Sequence, residues 1–263
     1  MLPIARLAPL LLITLLTSLT TRADTWLWAW DRPEDLRWLQ PGVGVAWFAA
    51  QFDAQDAHFQ VQPRRAVLRV RSDTPLLPVF HIEAFHPRKP AALGPVAVEV
   101  WAEALARHAA LLDRPEAPLK RLQIDFEART GQRDFYRSLL QALRAKLPPG
   151  TWLSVTALAS WCGDAEWLRS LPVDEVVPMY FRMGPAERSL WQQRMLAADK
   201  LPTVCRNAAG LSTDEWRALA PSLGTAPLEA FAERRLYLFA PRRWQAETLD
   251  TLPGWQGHNK TAE

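Results

Sequence analysis

The sequence has 263 residues, of which 49% are hydrophobic and 22% are charged, and its formal net charge is +3. This length and composition suit one large domain, or two small ones, with an ample hydrophobic core. The small positive excess excludes the dense basic surface that a nucleic-acid-binding protein needs, so no nucleic acid is expected as a partner.

The first 23 residues have the pattern of an export signal. Arg6 supplies a positive start, Leu7–Leu16 is a short apolar run, and small residues at Thr21 and Ala23 suit cleavage after Ala23. The apolar run is too short to span a bilayer, and no later stretch reaches about 18 apolar residues. We therefore expect a periplasmic or secreted protein that has no transmembrane segment after cleavage.

From residue 25 onward, strand patterns alternate with helix patterns. Strands are predicted at residues 25–30, 42–48, 75–85, 120–127, 152–159, 173–181, 203–206 and 235–240. Helices are predicted at residues 33–39, 96–112, 132–146, 164–170, 185–200, 213–219 and 242–249. Residues 58–72 have the pattern of a β-hairpin inserted after the second strand, and residues 254–263 form a polar tail.

Strand–helix alternation over about 240 residues favours an α/β fold, a (β/α)8 TIM barrel. The barrel is expected to be a single domain over residues 24–253, and a doubly wound sheet is the alternative. No glycine-rich phosphate loop follows any predicted strand, which argues against a bound nucleotide, and no cofactor is expected.

The fourth predicted strand ends in two acidic residues. Asp125 and Glu127 flank Phe126, so a strand places both carboxylates on one face, roughly 6–7 Å apart along the chain. Two acids crowded in this way repel each other and retain one proton, which we expect on Glu127. Arg182 opposes this effect if it points into the same site. An isolated pair of this kind is more often a turn-capping aspartate and a solvated glutamate.

Functional residues of a TIM barrel lie at the carboxyl ends of its strands. The ends of the predicted strands here are unusually rich in polar and aromatic side chains. They are Trp30, Asp31, His81, Glu83, Asp125, Glu127, Trp161, Tyr180, Arg182 and Arg206. Each residue alone fits a packing or ion-pairing role, but their matching positions on different strands predict one site at the barrel mouth.

Three runs of sequence resemble an exported bacterial family, domain-of-unknown-function family 3142. The runs are LQIDFEA (122–128), LSVTALASWC (153–162) and VDEVVPMYFRMG (173–184). The resemblance covers most of the chain, from residue 26 to residue 243. The family is grouped with glycoside-hydrolase-like TIM barrels and has no assigned chemistry, so the resemblance implies the fold and export more than an activity.

The IDFE run also resembles the end of the chitinase-type motif D-x-x-D-x-D-x-E. That likeness implies that Glu127 is the general acid and that Asp125 assists it. The sequence departs from the chitinase pattern at two places. Gln123 stands where another aspartate is expected, and the later Met-x-Tyr-Asp motif is replaced by a run that ends in Arg182. A mechanism assisted by an acetamido group of the substrate is therefore not supported.

The leading hypothesis is an exported glycoside hydrolase that acts on a polysaccharide or cell-envelope glycan. Cleavage needs one carboxyl group to protonate the leaving oxygen and a second to attack or to activate water. Glu127 is the predicted acid, and Glu83 or Asp125 is the second group. The remaining residues at the strand ends are predicted to bind substrate: Trp30, Asp31, His81, Trp161, Tyr180, Arg182 and Arg206.

Two other hypotheses belong to different classes. The first is a non-catalytic glycan-binding or envelope scaffold protein on the same barrel, which uses the same aromatic and arginine side chains without turnover. The second is a metal-dependent hydrolase, which is weak because the five histidines have neither H-x-H nor H-E-x-x-H spacing. We expect a monomer without a bound metal.

The chain has two cysteines, Cys162 and Cys205. Export permits a disulfide, and both residues lie at or just past the ends of the predicted fifth and seventh strands. The sequence therefore predicts a Cys162–Cys205 bond at the barrel mouth that crosses the end of the sixth strand. Two buried free thiols are the alternative.

Overall fold

The computed structural model describes residues 25–55, 58–84, 95–219, 234–250 and 252. The predicted export signal (1–23) and polar tail (254–263) lie outside the described residues. Eight parallel strands form a barrel. They are β1 (Thr25–Ala29), β2 (Val43–Gln55), β3 (Leu76–Ala84), β4 (Arg121–Asp125), β5 (Trp152–Leu158), β6 (Glu175–Met179), β7 (Ala208–Ser212) and β8 (Arg235–Phe239). Because β1 pairs with both β2 and β8, the barrel is closed, and the predicted (β/α)8 fold is confirmed.

Helices alternate with most of the strands. They are α1 (Pro95–Leu112), α2 (Arg133–Lys146), α3 (Ala165–Arg169), α4 (Pro185–Leu196), α5 (Thr213–Leu219) and α6 (Ala246–Asp250). Short 3-10 segments occupy 130–132, 159–163, 198–200 and 203–205. Helix α2 shows why the α-helices pack on the barrel, since its buried residues recur three or four positions apart and form one apolar face. They are Phe135, Tyr136, Leu139, Leu140 and Leu143.

The barrel has two apolar layers because successive residues of a strand point to opposite faces. The interior holds large aromatic rings, including Trp26, Trp28 and Tyr237. A Cβ atom at Gly44 would lie 2.5 Å from the ring of Trp26, so the interior needs glycine at this position. The outer and larger core lies between the strands and the helices.

The helix predicted at residues 33–39 is wrong. Glu34–Asp35 form a short strand that runs parallel to Leu68–Arg69. The buried Glu34 carboxylate accepts hydrogen bonds from Arg32 and from the backbone N–H of Trp244, which lies near the other end of the chain. These long-range contacts outweigh the local helical pattern.

The hairpin after the second strand has a different first strand from the one predicted. Strand β2 continues to Gln55, well past the predicted end at residue 48, and its second half pairs antiparallel with His58–Pro63. The other half of the predicted hairpin contains Leu68–Arg69, which pairs with Glu34–Asp35. The hairpin is thus an extension of the barrel sheet.

The seventh strand was predicted at the wrong place. Thr203–Cys205 is a 3-10 turn, and β7 (Ala208–Ser212) begins three residues later, with small side chains at four of its five positions. A Cβ atom at Gly210 would lie 3.4 Å from the backbone of Met179 on β6, so small residues suit this close strand. Small residues carry little strand propensity, and the pattern was therefore missed.

Candidate active site

Four side chains form a hydrogen-bonded row at the carboxyl ends of β3, β4 and β5. His81 is in register with Asp125, and its Nδ1 lies 2.9 Å from Asp125 Oδ2. The other ring nitrogen, Nε2, lies 3.3 Å from Glu83 Oε2. On the far side, the hydroxyl of Thr156 donates to Asp125 Oδ1 over 2.6 Å. The mouth cluster is therefore the row Glu83–His81–Asp125–Thr156.

The His81 ring lies between two carboxylates. Only the protonated ring donates at both nitrogens, so contacts with Asp125 and Glu83 favour the imidazolium form. Burial lowers the pKa of His81, but the hydrogen bonds and negative charges of Asp125 and Glu83 outweigh it, and the net result is a raised pKa. The row thus favours a positive charge on the ring, between two acidic groups.

Glu127 lies two residues past the end of β4 and is exposed. Its neighbours Phe126 and Ala128 are both buried, which fixes the backbone on either side of it. Phe126 packs edge-on against Trp101 and Tyr136, with ring centroids 6.3 Å and 5.1 Å away. An exposed carboxylate is therefore carried on an anchored backbone at the barrel mouth.

The electrostatics of Glu127 agree in direction with the sequence-based prediction. Partial desolvation, followed by repulsion from Asp125, raises the pKa of Glu127. The charge on His81 opposes the shift, and that on Glu83 adds to it. A glutamate that keeps its proton to higher pH beside an aspartate has the properties of a general acid.

Aromatic rings surround the mouth cluster on the interior side. Trp30 stands edge-on to His81 with ring centroids 5.3 Å apart, and it also contacts Phe48 and Phe239. Phe181 stacks on Phe239 at 5.5 Å. The prediction missed Phe181 and Phe239, although strand alternation from Met179 would have placed Phe181 inside. These rings give the mouth an apolar surface beside its carboxylates.

Two residues predicted at the mouth point the other way. Tyr180 follows the interior residue Met179, and it is buried in the outer core, where burial raises the pKa of its hydroxyl. Trp161 is also in the outer core, edge-on to Trp167 with centroids 5.0 Å apart. Neither side chain belongs to the candidate site.

Neither predicted substrate-binding arginine faces the mouth cluster. Arg206 precedes β7 and therefore lies at the end of the barrel opposite the mouth. It was predicted at the mouth because the seventh strand was placed too early in the sequence. Its guanidinium donates to the carbonyls of Leu201 and Asp199. Arg182 has a left-handed backbone, with φ of 56°, and its guanidinium binds Asp214 at 3.1 Å. Arg182 is thus held at the rim by an acid of its own.

Asp31 supports the loop that carries Trp30. Its carboxylate accepts the backbone N–H groups of Arg65 and Ala66, and the neighbouring Arg64 donates to the carbonyl of Trp30 at 2.7 Å. Asp31 therefore positions the loop, and its contacts are with the backbone. Of the predicted residues, Trp30, His81, Glu83, Asp125 and Glu127 are brought together.

Cys162 and Cys205 form a disulfide with their Cα atoms 6.2 Å apart. Its predicted place at the mouth is wrong, since Cys162 follows β5 whereas Cys205 precedes β7. Both residues are buried in the outer core, and both of their 3-10 segments contact β6. The bond therefore crosses the outer face of β6.

Within residues 25–55, 58–84, 95–219 and 234–250, no group of three His, Cys, Asp or Glu side chains is arranged to hold a metal ion. The helices of the same part of the chain are too short or too polar to cross a membrane. Comparison with models of known protein families and with curated proteins gave no match to this sequence.

Proposed function

We propose that this protein is an exported glycoside hydrolase that cleaves a polysaccharide or cell-envelope glycan by carboxylate acid–base catalysis. The observation that carries the proposal is the grouping of three acids, Glu83, Asp125 and Glu127, with His81 at the mouth of a TIM barrel. The raised pKa of Glu127 supports its part as the acid. The half-buried Trp30 ring stands edge-on to His81 at the mouth, and a flat aromatic ring suits the apolar face of a sugar.

The contacts favour distinct roles for the three acids. Glu127 gives its proton to the glycosidic oxygen as the bond from that oxygen to the anomeric carbon breaks. Asp125 has both oxygens bound, by His81 and Thr156, and is a positioning residue. Glu83 has a side chain that is 46% exposed and contacts His81 through one oxygen. Glu83 therefore supplies the second carboxylate, which attacks the anomeric carbon or takes a proton from the attacking water.

A non-catalytic glycan-binding or envelope scaffold protein is the second candidate. The hydrogen bonds of Gln123 favour this candidate. Gln123 stands at a position where the chitinase-type motif has an acid. The Gln123 side chain accepts a hydrogen bond from the Trp28 indole at 2.9 Å and donates to Ser154 at 3.1 Å. This position is committed to the barrel interior, as it would be in a barrel that retains its binding surface without catalysis.

Turnover by matched variants separates the two candidates. The wild type, Glu127→Gln and Glu83→Gln are incubated with a panel of polysaccharides, and reducing ends are measured. Hydrolysis predicts that both variants lose about 100-fold or more in kcat while glycan binding is retained. The control is Glu187→Gln, at an exposed first-turn position of α4, which should leave kcat unchanged. Binding without turnover by the wild type would favour the scaffold.

The proposal includes export and membership of family 3142, on the sequence features of residues 1–23 and the three resembling runs. Expression of the full chain in a bacterium, followed by N-terminal sequencing of the periplasmic and secreted fractions, tests the export signal. The expected product begins at Asp24. A cytoplasmic product that retains the first 23 residues would contradict it.

A further inference from the structure

The sheet rises past the barrel mouth on one side only. The pairing of β3 with β4 ends at His81 and Asp125, whereas β2 and β3 stay paired as far as Ala54 and Ala84. Three more residues of strand lift this part of the sheet about 10 Å above the level of Asp125. The antiparallel strand His58–Pro63 adds a third strand to it. The extension forms one side wall of the mouth.

The outer face of this extension is covered by α1. Phe52 is fully buried and lies edge-on to Phe59, with centroids 5.6 Å apart, while Phe59 is edge-on to Trp101 of α1 at 4.9 Å. Phe52 also contacts Phe80 at 5.1 Å. One face is thus fixed in the apolar core, and the alternating residues must point toward the mouth.

The mouth-facing side of the extension is polar throughout. Strand register places Gln51 beside His81, and Asp53 beside Glu83. Across the antiparallel pair, Gln51 faces Gln62, and Asp53 faces Gln60. We call the side chains of Gln51, Asp53, Gln60 and Gln62 the polar wall. The wall continues directly from the mouth cluster, because Gln51 and Asp53 lie beside His81 and Glu83 of that cluster.

Hydrogen bonds within the wall fix its donors and acceptors. The amide of Gln51 donates to Asp53 Oδ1 at 2.6 Å, and the amide of Gln62 donates to Asp53 Oδ2. Each of these glutamines keeps its side-chain carbonyl oxygen and a second N–H for another partner. The Asp53 carboxylate therefore orients two amides that can still donate and accept at the same time.

We propose that the polar wall binds a glycan chain without acidic groups, as a subsite beside the cleavage centre; this inference rests on the proposed function. Oriented amides both donate to and accept from sugar hydroxyls, and they continue in the direction of Glu83. The wall and the mouth also carry the carboxylates of Asp53, Glu83 and Asp125 around the His81 ring, and these three remain in Glu127→Gln protein. This negative surface repels uronate-bearing or phosphate-bearing chains and accepts neutral or amine-bearing ones.

The test measures binding separately from turnover. Glu127→Gln protein is titrated by calorimetry with neutral hexasaccharides of glucose, mannose, xylose and N-acetylglucosamine, with a glucosamine hexamer, and with a galacturonic acid hexamer. A neutral or amine-bearing hexamer should bind, and the acidic hexamer should not. Adding Gln51→Ala and Gln62→Ala to this protein should raise the dissociation constant about ten-fold. Adding Gln193→Ala, on the exposed surface of α4, should leave the constant unchanged.

Chain length and charge give two independent readouts. Shortening the bound hexamer to a disaccharide should remove the difference between the wall variants and the control. Asp53→Asn should weaken the exclusion of the acidic hexamer. Equal dissociation constants for the wall variants and the Gln193→Ala control, binding of the acidic hexamer as tight as that of the neutral ones, or no binding of any hexamer would overturn the wall as a subsite.

The two proposals fail in different ways. Wild-type protein that hydrolyses a panel glycan while the wall variants keep an unchanged KM for long chains would refute the wall and leave the hydrolase standing. Wild-type protein that hydrolyses nothing, while the wall variants lose binding, would refute the hydrolase and leave the wall standing.

Discussion

Two polar clusters lie inside the same barrel, one at each end. The mouth cluster joins Asp125 to His81 and Thr156 at the carboxyl ends of the strands. The lower cluster lies at the other end and joins Glu175 to Arg235 and Tyr237. There Arg235 donates to Glu175 Oε1, and the Tyr237 hydroxyl donates to Oε2 over 2.6 Å. Each cluster has an acid whose two oxygens are both bound.

The difference between the clusters is access to solvent. Glu175, Arg235 and Tyr237 are all buried, and the Arg235 guanidinium lies 5.9 Å from the ring centroid of Trp152. At the mouth, Glu83 and Glu127 remain accessible beside the buried Asp125. A shifted pKa alone does not distinguish the ends, since burial, followed by the charge of Glu175, raises the pKa of Tyr237. Because solvent reaches the mouth cluster and not the buried lower cluster, the mouth is the candidate site and the lower cluster has a structural role.

Removing the acid of the lower cluster should have the largest effect on stability. Glu175→Ala leaves the Arg235 guanidinium buried without its carboxylate partner, which should lower the free energy of unfolding by about 3–5 kcal/mol. Urea denaturation measures the change. Replacing the buried pair together, as Glu175→Leu with Arg235→Met, should recover part of the loss because no charge remains buried.

The control for Glu175→Ala is Glu187→Ala, at an exposed position, which should change stability by less than about 0.5 kcal/mol. If Glu175→Ala also costs less than about 1 kcal/mol, the lower cluster is not the sealed scaffold that the comparison requires.

The disulfide in the outer core gives a second test of the distinction between groups that stabilise the barrel and groups that form the site at its mouth. Changing both Cys162 and Cys205 to Ala removes a link between residues 43 apart in sequence, and the chain-entropy estimate gives a loss of about 4 kcal/mol. Unfolding in urea measures this loss, with glycan affinity at the mouth expected to stay unchanged. Two titratable thiols in denatured, unreduced wild-type protein would contradict the bond itself.

The fold and one edge of the site were predictable from the sequence because both depend on the local alternation of side chains along a strand. Alternation placed His81 and Glu83 on one face of β3, and Asp125 at the end of β4, because side-chain direction in a strand depends only on parity. Parity also fails when the strand is misplaced. Arg206 and Cys205 were assigned to the mouth because β7, in which four of the five residues are small, carries almost no strand pattern.

Tyr180 shows a second kind of failure. It follows the last residue of β6 and was assigned to the site by its chemistry, although its neighbours Met179 and Phe181 occupy the interior face. The polar wall was also missed, because β2 was predicted to end at residue 48, before Gln51 and Asp53. Long-range pairing with His58–Pro63 extends that strand, and a local pattern does not report such a partner.

Asp125→Asn should affect the mouth cluster less than Glu175→Ala affects the lower one. The loss of a charged partner for His81 should lower the free energy of unfolding by about 1–2 kcal/mol. The pKa of His81 is raised above its ordinary value of 6.5 in the folded protein. Its stabilising contribution is therefore fully present below about pH 6.5 and is lost as pH rises through the folded value. The difference in free energy of unfolding between wild type and Asp125→Asn should therefore become smaller as pH rises.

Titration of the His81 ring by NMR checks this directly, because the variant ring should lose its proton at lower pH than the wild-type ring. Asp134→Asn, at an exposed position on α2, provides the control. An unchanged His81 titration in Asp125→Asn would mean that the row at the mouth does not hold the charge of the ring.

Glu127→Gln should have the smallest effect on stability, and that effect should be favourable. Partial desolvation and repulsion from Asp125 raise the pKa of Glu127 above its ordinary value of 4.5, so the charged form destabilises the folded state. The penalty is absent below about pH 4.5, appears as pH rises through the folded value, and is complete above it. The neutral glutamine avoids this penalty, and because the group is exposed the gain should be only about 0.5 kcal/mol. Thermal unfolding at pH 7 and pH 4 checks the sign. A variant that is less stable than wild type at pH 7 would mean that Glu127 is a structural ion-pair partner, as Glu175 is, and that the mouth and the lower cluster do not differ in kind.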